Sequence, residues 1–229
     1  DHGLHDRVAE INRAAVAHAR RATAEHPGTL VCGSLGPGNK LPLLGQVGVD
    51  ELAAAYAEQV AVLVEAGVDL LLFETCQDLL QIKTALAACL DTLERLGRHV
   101  PVMDSATVAP AGTLLTGSDI GAVAAALAPF PLLALGLNCA TGPQEMAGHL
   151  RHLARHWPRR ISAMPNAGLP RLEEGRTVYP LGPEDFAAGA ARLVREEGAT
   201  IIGGCCGATP EHVRALVRAL RPPPGAAVR

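Results

Sequence analysis

The chain has 229 residues, enough for one domain with a sizeable core. Its 20 Lys and Arg stand against 23 Asp and Glu, a net charge of -3 that excludes any general attraction to nucleic acid or to a membrane surface. Aromatic residues make up only 3%, too few for base-stacking platforms, and no apolar run free of charges and breakers is long enough to span a membrane.

Residues 5–25 carry Val8, Ile11, Ala15 and Ala19 at helical spacing, with Arg7, Glu10, Arg13 and Arg20 between them. Pro27-Gly28 closes this helix, and residues 29–34 read as a short strand. The loop from Ser34 to Lys40 is rich in glycine, but its spacing fits neither the nucleotide nor the dinucleotide phosphate motif. A helix is predicted over residues 50–65, ended by Gly67, then a strand over 68–73 with Glu74-Thr75 at its end. Residues 78–96 read as a helix and 100–107 as a strand that tolerates Pro101 at its start. Ser118 or Asp119 caps a helix to residue 127, and a strand follows over 131–138. The helix over 142–156 bears His149, His152 and His156 three and four residues apart, a row read as an exposed polar face rather than as metal ligands.

A strand over 160–164 leads into Pro165-Asn166-Ala167-Gly168, and a loop over 168–182 follows that is either a lid or a plain connector. A helix over 183–197 and a strand over 200–204 come next. Thr209 as cap, Pro210 at the first helical position and Glu211 near the positive end of the dipole open the last helix, over 210–220. The reading gives one domain over residues 1–221 and a proline-rich tail over 222–229.

Strand and helix thus alternate about every 30 residues, the βαβ signature of an α/β protein. Six strands are counted, where a (β/α)8 barrel needs eight. An open sheet is one solution. The opening helix without its strand favours the other: a barrel with its first two strands missing from the given chain.

Sites in such folds form at the carboxyl ends of strands. Cys205-Cys206 sits there, between Gly204 and Gly207, and Cys139 closes another apolar run. Adjacent strand residues point to opposite faces, so both cysteines serve one site only where the chain bends, as these glycines allow. Three thiolates from two strand ends form a ligand set for one Zn2+ with a fourth position left for substrate; the alternative is three small, inert, buried residues. Six cysteines without a signal-peptide pattern predict free thiols in a reducing cytoplasm rather than a disulfide framework. Glu74, at another strand end, is a candidate for the same rim.

Gly33-Ser34-Leu35-Gly36-Pro37, Phe73-Glu74-Thr75, Gly136-Leu137-Asn138-Cys139, Pro165-Asn166-Ala167-Gly168-Leu169-Pro170 and Gly203-Gly204-Cys205-Cys206-Gly207 together carry a resemblance. The chain resembles the homocysteine S-methyltransferase family, and within it the homocysteine-binding domain of the cobalamin-dependent methionine synthases, over essentially its whole length. The resemblance implies a (β/α)8 TIM barrel and a zinc ion held by Cys139, Cys205 and Cys206. It implies that Asn166 lies at the metal and can fill its open position before substrate arrives, and that Glu74 receives the homocysteine ammonium. The segments that the family carries on its first two strands do not occur here, so their substrate contacts are missing.

The activity implied is methyl transfer to the homocysteine thiol, giving methionine, with methylcobalamin supplied by another domain or chain. Cobalamin-binding and folate-binding domains or proteins are the implied partners, and the implied compartment is the cytoplasm. A free thiol near pKa 8.5 is mostly protonated at neutral pH, and zinc coordination holds it as thiolate. Three rivals remain at this level: a homocysteine methyltransferase using a small methyl donor, a truncated non-catalytic zinc-binding module, and a structural α/β protein with inert cysteines.

Overall fold

The computed structural model describes residues 3–221, so the tail expected over 222–229 lies outside the described residues. The chain divides into two compact units: Asp1–Ser105 with Leu127–Leu133, and Ala106–Ala126 with Ala134–Arg229.

The first unit runs α1 (Val8–Thr23), β1 (Cys32–Leu35), α2 (Val49–Glu65), β2 (Leu70–Cys76), α3 (Leu79–Arg95) and β3 (Val102–Ala106, all but its last residue). β1 and β2 pair in parallel, Cys32 opposite Leu70 through Leu35 opposite Phe73. β2 adjoins β3 on its other side, where the Leu71 amide donates to the Pro101 carbonyl at 2.9 Å. Pro101 therefore stands just ahead of its strand, where its missing N–H leaves no gap in the ladder.

Alternation along β2 buries Leu71 and Phe73 fully and leaves Leu70, Leu72 and Glu74 half-buried. Tyr56, Val60, Leu63 and Val64 of α2 are buried, and Tyr56 meets Phe73 edge-on at 5.6 Å. Asp78 caps α3 by accepting from the Leu80 and Gln81 amides at 2.8 and 3.1 Å. β1 starts three residues later than the apolar run suggests: the Val31 amide is taken by the Asp69 carboxylate at 2.6 Å, outside the ladder.

The second unit carries α4 (Ile120–Leu127, up to Ala126), β4 (Ala134–Asn138), α5 (Pro143–His156), β5 (Arg160–Met164), β6 (Arg171–Glu173), β7 (Arg176–Val178), α6 (Pro183–Arg195), β8 (Ile201–Ile202) and α7 (Pro210–Leu220). β4 pairs with β5 and β5 with β8, both in parallel. At β4 the chains approach so closely that a Cβ on Gly136 would lie 2.2 Å from the Ser162 carbonyl oxygen of β5. Phe186, Ala187 and Ala190 of α6 pack with Ala215 and Leu216 of α7 and with Ala167. Burying a side chain the size of Phe186 contributes about 2–3 kcal/mol.

Two expectations change. The stretch over 168–182 is not simply a loop: β6 and β7 form an antiparallel hairpin, Arg171 opposite Val178, turned at Glu174-Gly175. All six of its strand residues are exposed, so no apolar alternation announces it in the sequence. The histidine row on α5 is also less exposed than its polar pattern implies. Only His156 is exposed; His149 and His152 are half-buried, because Gly112 and Gly121 let the chain lie against their rings. No helix among the described residues is long and apolar enough to cross a membrane.

Candidate metal centre

The second unit brings the ends of β4, β5 and β8 together through backbone bonds. The Cys139 amide donates to the Met164 carbonyl (3.1 Å), Asn166 to Thr141 (3.0 Å), Cys205 to Pro165 (2.8 Å) and Ala167 to Cys206 (2.9 Å). Cys139 and Ala140 are both left-handed, with φ of 63° and 57°. This costs energy for residues with a Cβ, and here it turns the chain off β4 at the ligand position itself. Gly203 and Gly204 permit a close approach on the other side: a Cβ would meet Met164 Sδ at 2.5 Å or Ala208 Cβ at 2.6 Å. The bend that two adjacent cysteines need in order to share a site is thus present.

Cys139 Sγ lies 3.7 Å from Cys206 Sγ, and Cys205 Sγ lies 4.0 Å from Cys206 Sγ. All three sulfurs fall within 4.8 Å of one another, and among the described residues they are the one group of potential ligands gathered tightly enough to hold an ion. A tetrahedral Zn2+ with bonds of about 2.3 Å needs sulfurs about 3.8 Å apart, so the residues present fit the ion. The Asn138 side-chain amide donates to Cys205 Sγ at 3.8 Å, and the Asn138 backbone carbonyl accepts from Thr107 Oγ1 at 3.0 Å. Asn166 is 1% exposed, and its Oδ1 accepts the Cys206 amide at 3.0 Å.

The thiols of the cluster shift one another in opposite directions. Interaction with the Cys205 thiol pulls Cys139 down to about 5, with the Ala140 amide, Cys206 and Asn166 helping against burial. The same contact, reinforced by burial, pushes Cys205 far above the ordinary thiol range. The remaining cysteines behave differently. Cys76 and Cys89 are buried, and burial raises both thiols, Cys89 to about 12; Cys32 is exposed. None of these three joins the cluster.

Glu74 belongs to the first unit and lies within β2, which runs past the expected residue 73 to Cys76; Ser34 Oγ of β1 donates to its Oε1. Thr75 beside it is left-handed, with φ of 62°, an uncommon state for a β-branched residue. The structure therefore gathers Cys139, Cys205, Cys206 and Asn166 in one unit and places Glu74 near the carboxyl end of a strand of the other.

Tyr179 falls within the stretch that the sequence leaves as a loop over 168–182. Its ring lies against Gly207, where a Cβ would come within 2.3 Å of Tyr179 Cγ. The signal available was Gly207 directly after the paired cysteines, a residue with no room for a side chain.

A model of the family described as homocysteine S-methyltransferase matches residues 1–220. The chain belongs to the homocysteine S-methyltransferase family. It is 43% identical over 224 residues to methionine synthase of Mycobacterium tuberculosis, which covers 96% of this chain and 19% of that protein. It is 42% identical over 225 residues to methionine synthase of Mycobacterium leprae, with the same shares covered. The chain thus spans about a fifth of the length of the curated relatives it matches. Among solved structures it resembles the homocysteine methyltransferase MmuM of Escherichia coli in its apo form, with a TM-score of 0.73 and 28% identity, over 96% of this chain and 76% of that one. The metallated form of that enzyme gives a TM-score of 0.69 over 91% of this chain and 69% of that one.

Proposed function

We propose that this family member binds homocysteine and takes part in its S-methylation to methionine, with Cys139, Cys205 and Cys206 holding Zn2+. The observation that carries the reading is the trio of sulfurs at bonding reach of one ion in a chain of this family. Zinc, when bound, supplies a Lewis acid that keeps a substrate thiol in its reactive thiolate form at neutral pH. The chain's own residues supply the rest. The three cysteines set the charge and position of the site. Asn138 and the Cys206 amide, through Asn166, fix the sulfurs and their loops. Glu74, oriented by Ser34, accepts the substrate ammonium in a charge-assisted hydrogen bond. Asn166 stands by the cluster as the neutral oxygen donor that yields to substrate.

The methyl donor is methylcobalamin, carried by another domain or chain, and the likeness to two methionine synthases supports that choice. Folate- and cobalamin-binding modules are the corresponding partners, and the cytoplasm is the compartment. In the transfer, the thiol proton leaves, a sulfur–carbon bond forms and the donor keeps the electron pair of the bond it loses. The parallel strand pairs are read as part of an eight-stranded barrel, as the likeness to MmuM over 96% of this chain supports. Elemental analysis of the complete polypeptide tests the centre: about one zinc per chain is expected, lost when the three cysteines become serine. Zinc retained by that triple variant would overturn the assignment.

A further inference from the structure

His212, in the first turn of α7, is buried and has a partner on each ring nitrogen. A carbonyl oxygen only accepts, so the 2.9 Å contact with the Leu181 carbonyl is a bond donated by Nε2. A backbone amide only donates, so Nδ1 accepts from the Thr209 amide at 3.2 Å. The two edges of the ring thus serve different ends: Nδ1 closes the cap of α7, and Nε2 holds the segment that follows the hairpin. From Leu181 the bonds run on toward the cysteines. The Leu181 amide donates to the Ala167 carbonyl and the Ala167 amide to the Cys206 carbonyl, both at 2.9 Å. The Cys206 amide is taken by Asn166 Oδ1 at 3.0 Å. Cys206 is therefore held on both sides by two consecutive residues, and Leu181 fixes the second of them. The hairpin cannot hold Leu181 by its own burial, because all six of its strand residues are exposed.

We propose that His212 is a positioning residue of the metal centre: its Nε2–H, through the backbone of Leu181 and Ala167, fixes where Cys206 stands in the sulfur trio. The proposal rests on the reading that the three cysteines hold a metal ion. Without the imidazole donor the Leu181 carbonyl loses its partner in a part-buried place and turns toward water. The strap then lifts from Ala167, and the Cys206 peptide keeps only its bond to Asn166. Groups that orient metal ligands from behind are worth about 10–100-fold in metal affinity, and the two peptide links that intervene here put His212 at the low end of that range.

Two substitutions separate the two edges of the ring. His212→Gln places an amide donor where Nε2 stands and drops the cap, whereas His212→Asn places an acceptor where Nδ1 stands and drops the strap. Both lose the edge-on contact of the ring with Phe186, so a packing defect would appear equally in each. The complete polypeptide and the two variants are loaded with Co2+, and the sulfur-to-cobalt charge-transfer band is recorded. Zn2+ affinity is measured alongside by competition with a chromophoric chelator. His212→Asn should shift the band and weaken Zn2+ binding about tenfold, while His212→Gln should lower Tm and keep the wild-type band and affinity. If the two variants behave alike, or if the glutamine protein alone shifts the band, His212 serves only the packing and cap of α7 and the proposal fails. Should the asparagine protein not fold, the glutamine protein decides: a wild-type band with a lowered Tm upholds the strap, and a shifted band overturns it. A wild type without any thiolate band would instead overturn the metal reading, and this proposal with it.

Discussion

Asp104 sits in the middle of β3, fully buried, with no hydrogen-bond partner for either carboxylate oxygen. Burial pushes its pKa up to about 8. The unfolded chain binds that proton only below about 4, so the folded state holds it more tightly. Stability from this group is complete below about pH 4 and is lost as pH rises toward 8. Asp104→Asn should match the wild type near pH 4 and exceed it at pH 8 by roughly 10–20 °C in Tm. Melting curves whose separation stays constant across that range would contradict the assignment. Glu74 makes the opposite case, a half-exposed carboxylate with a hydroxyl partner. Glu74→Gln removes the charge and keeps the shape; it should weaken homocysteine binding about 10–100-fold with zinc retained, by calorimetry and metal analysis. Loss of zinc as well would make Glu74 structural. Glu74 and the cysteines were legible in the sequence because each closes an apolar run. Asp104 was not legible as buried: a lone carboxylate within a strand carries no mark of which way it faces.

At the scale of elements, the alternation of apolar runs and helical patterns located every strand that forms a parallel pair. The hairpin β6–β7 escaped because its side chains meet solvent on both faces, leaving no hydrophobic period to read. The turn off β4 escaped for another reason: it uses left-handed Cys139 and Ala140 rather than a glycine. Where glycine does appear inside β4, its cause is steric. Gly136→Ala would place a methyl 2.0 Å from Ser162 Oγ and 2.2 Å from the Ser162 carbonyl oxygen. Because a backbone atom cannot swing aside as a flexible side chain does, the β4–β5 pair must part. We expect the variant to lose at least about 3 kcal/mol and to accumulate as insoluble protein. Recovery of a soluble variant with wild-type urea unfolding would show that the strands can separate at little cost.

For the whole molecule, the share of the relatives that this chain spans, 19%, directs experiments to the complete polypeptide. With homocysteine supplied, it should form methionine from methylcobalamin and much less from a small sulfonium or ammonium donor. The reverse preference, read by methionine yield, would move the protein to another branch of its family. Stripping zinc with a strong chelator should lower Tm, because an ion bound only by the folded state stabilises it by mass action. An unchanged Tm after verified metal loss would mean that the site holds its form unaided. The backbone bonds among the three strand ends bear on that outcome: Cys139 to Met164, Asn166 to Thr141, Cys205 to Pro165 and Ala167 to Cys206 use peptide groups alone. No side chain takes part in them, so the frame and the donor atoms can change independently. Exchange of a single sulfur for imidazole or carboxylate would leave the knot tied, and a protein built this way can explore new metals by point substitution.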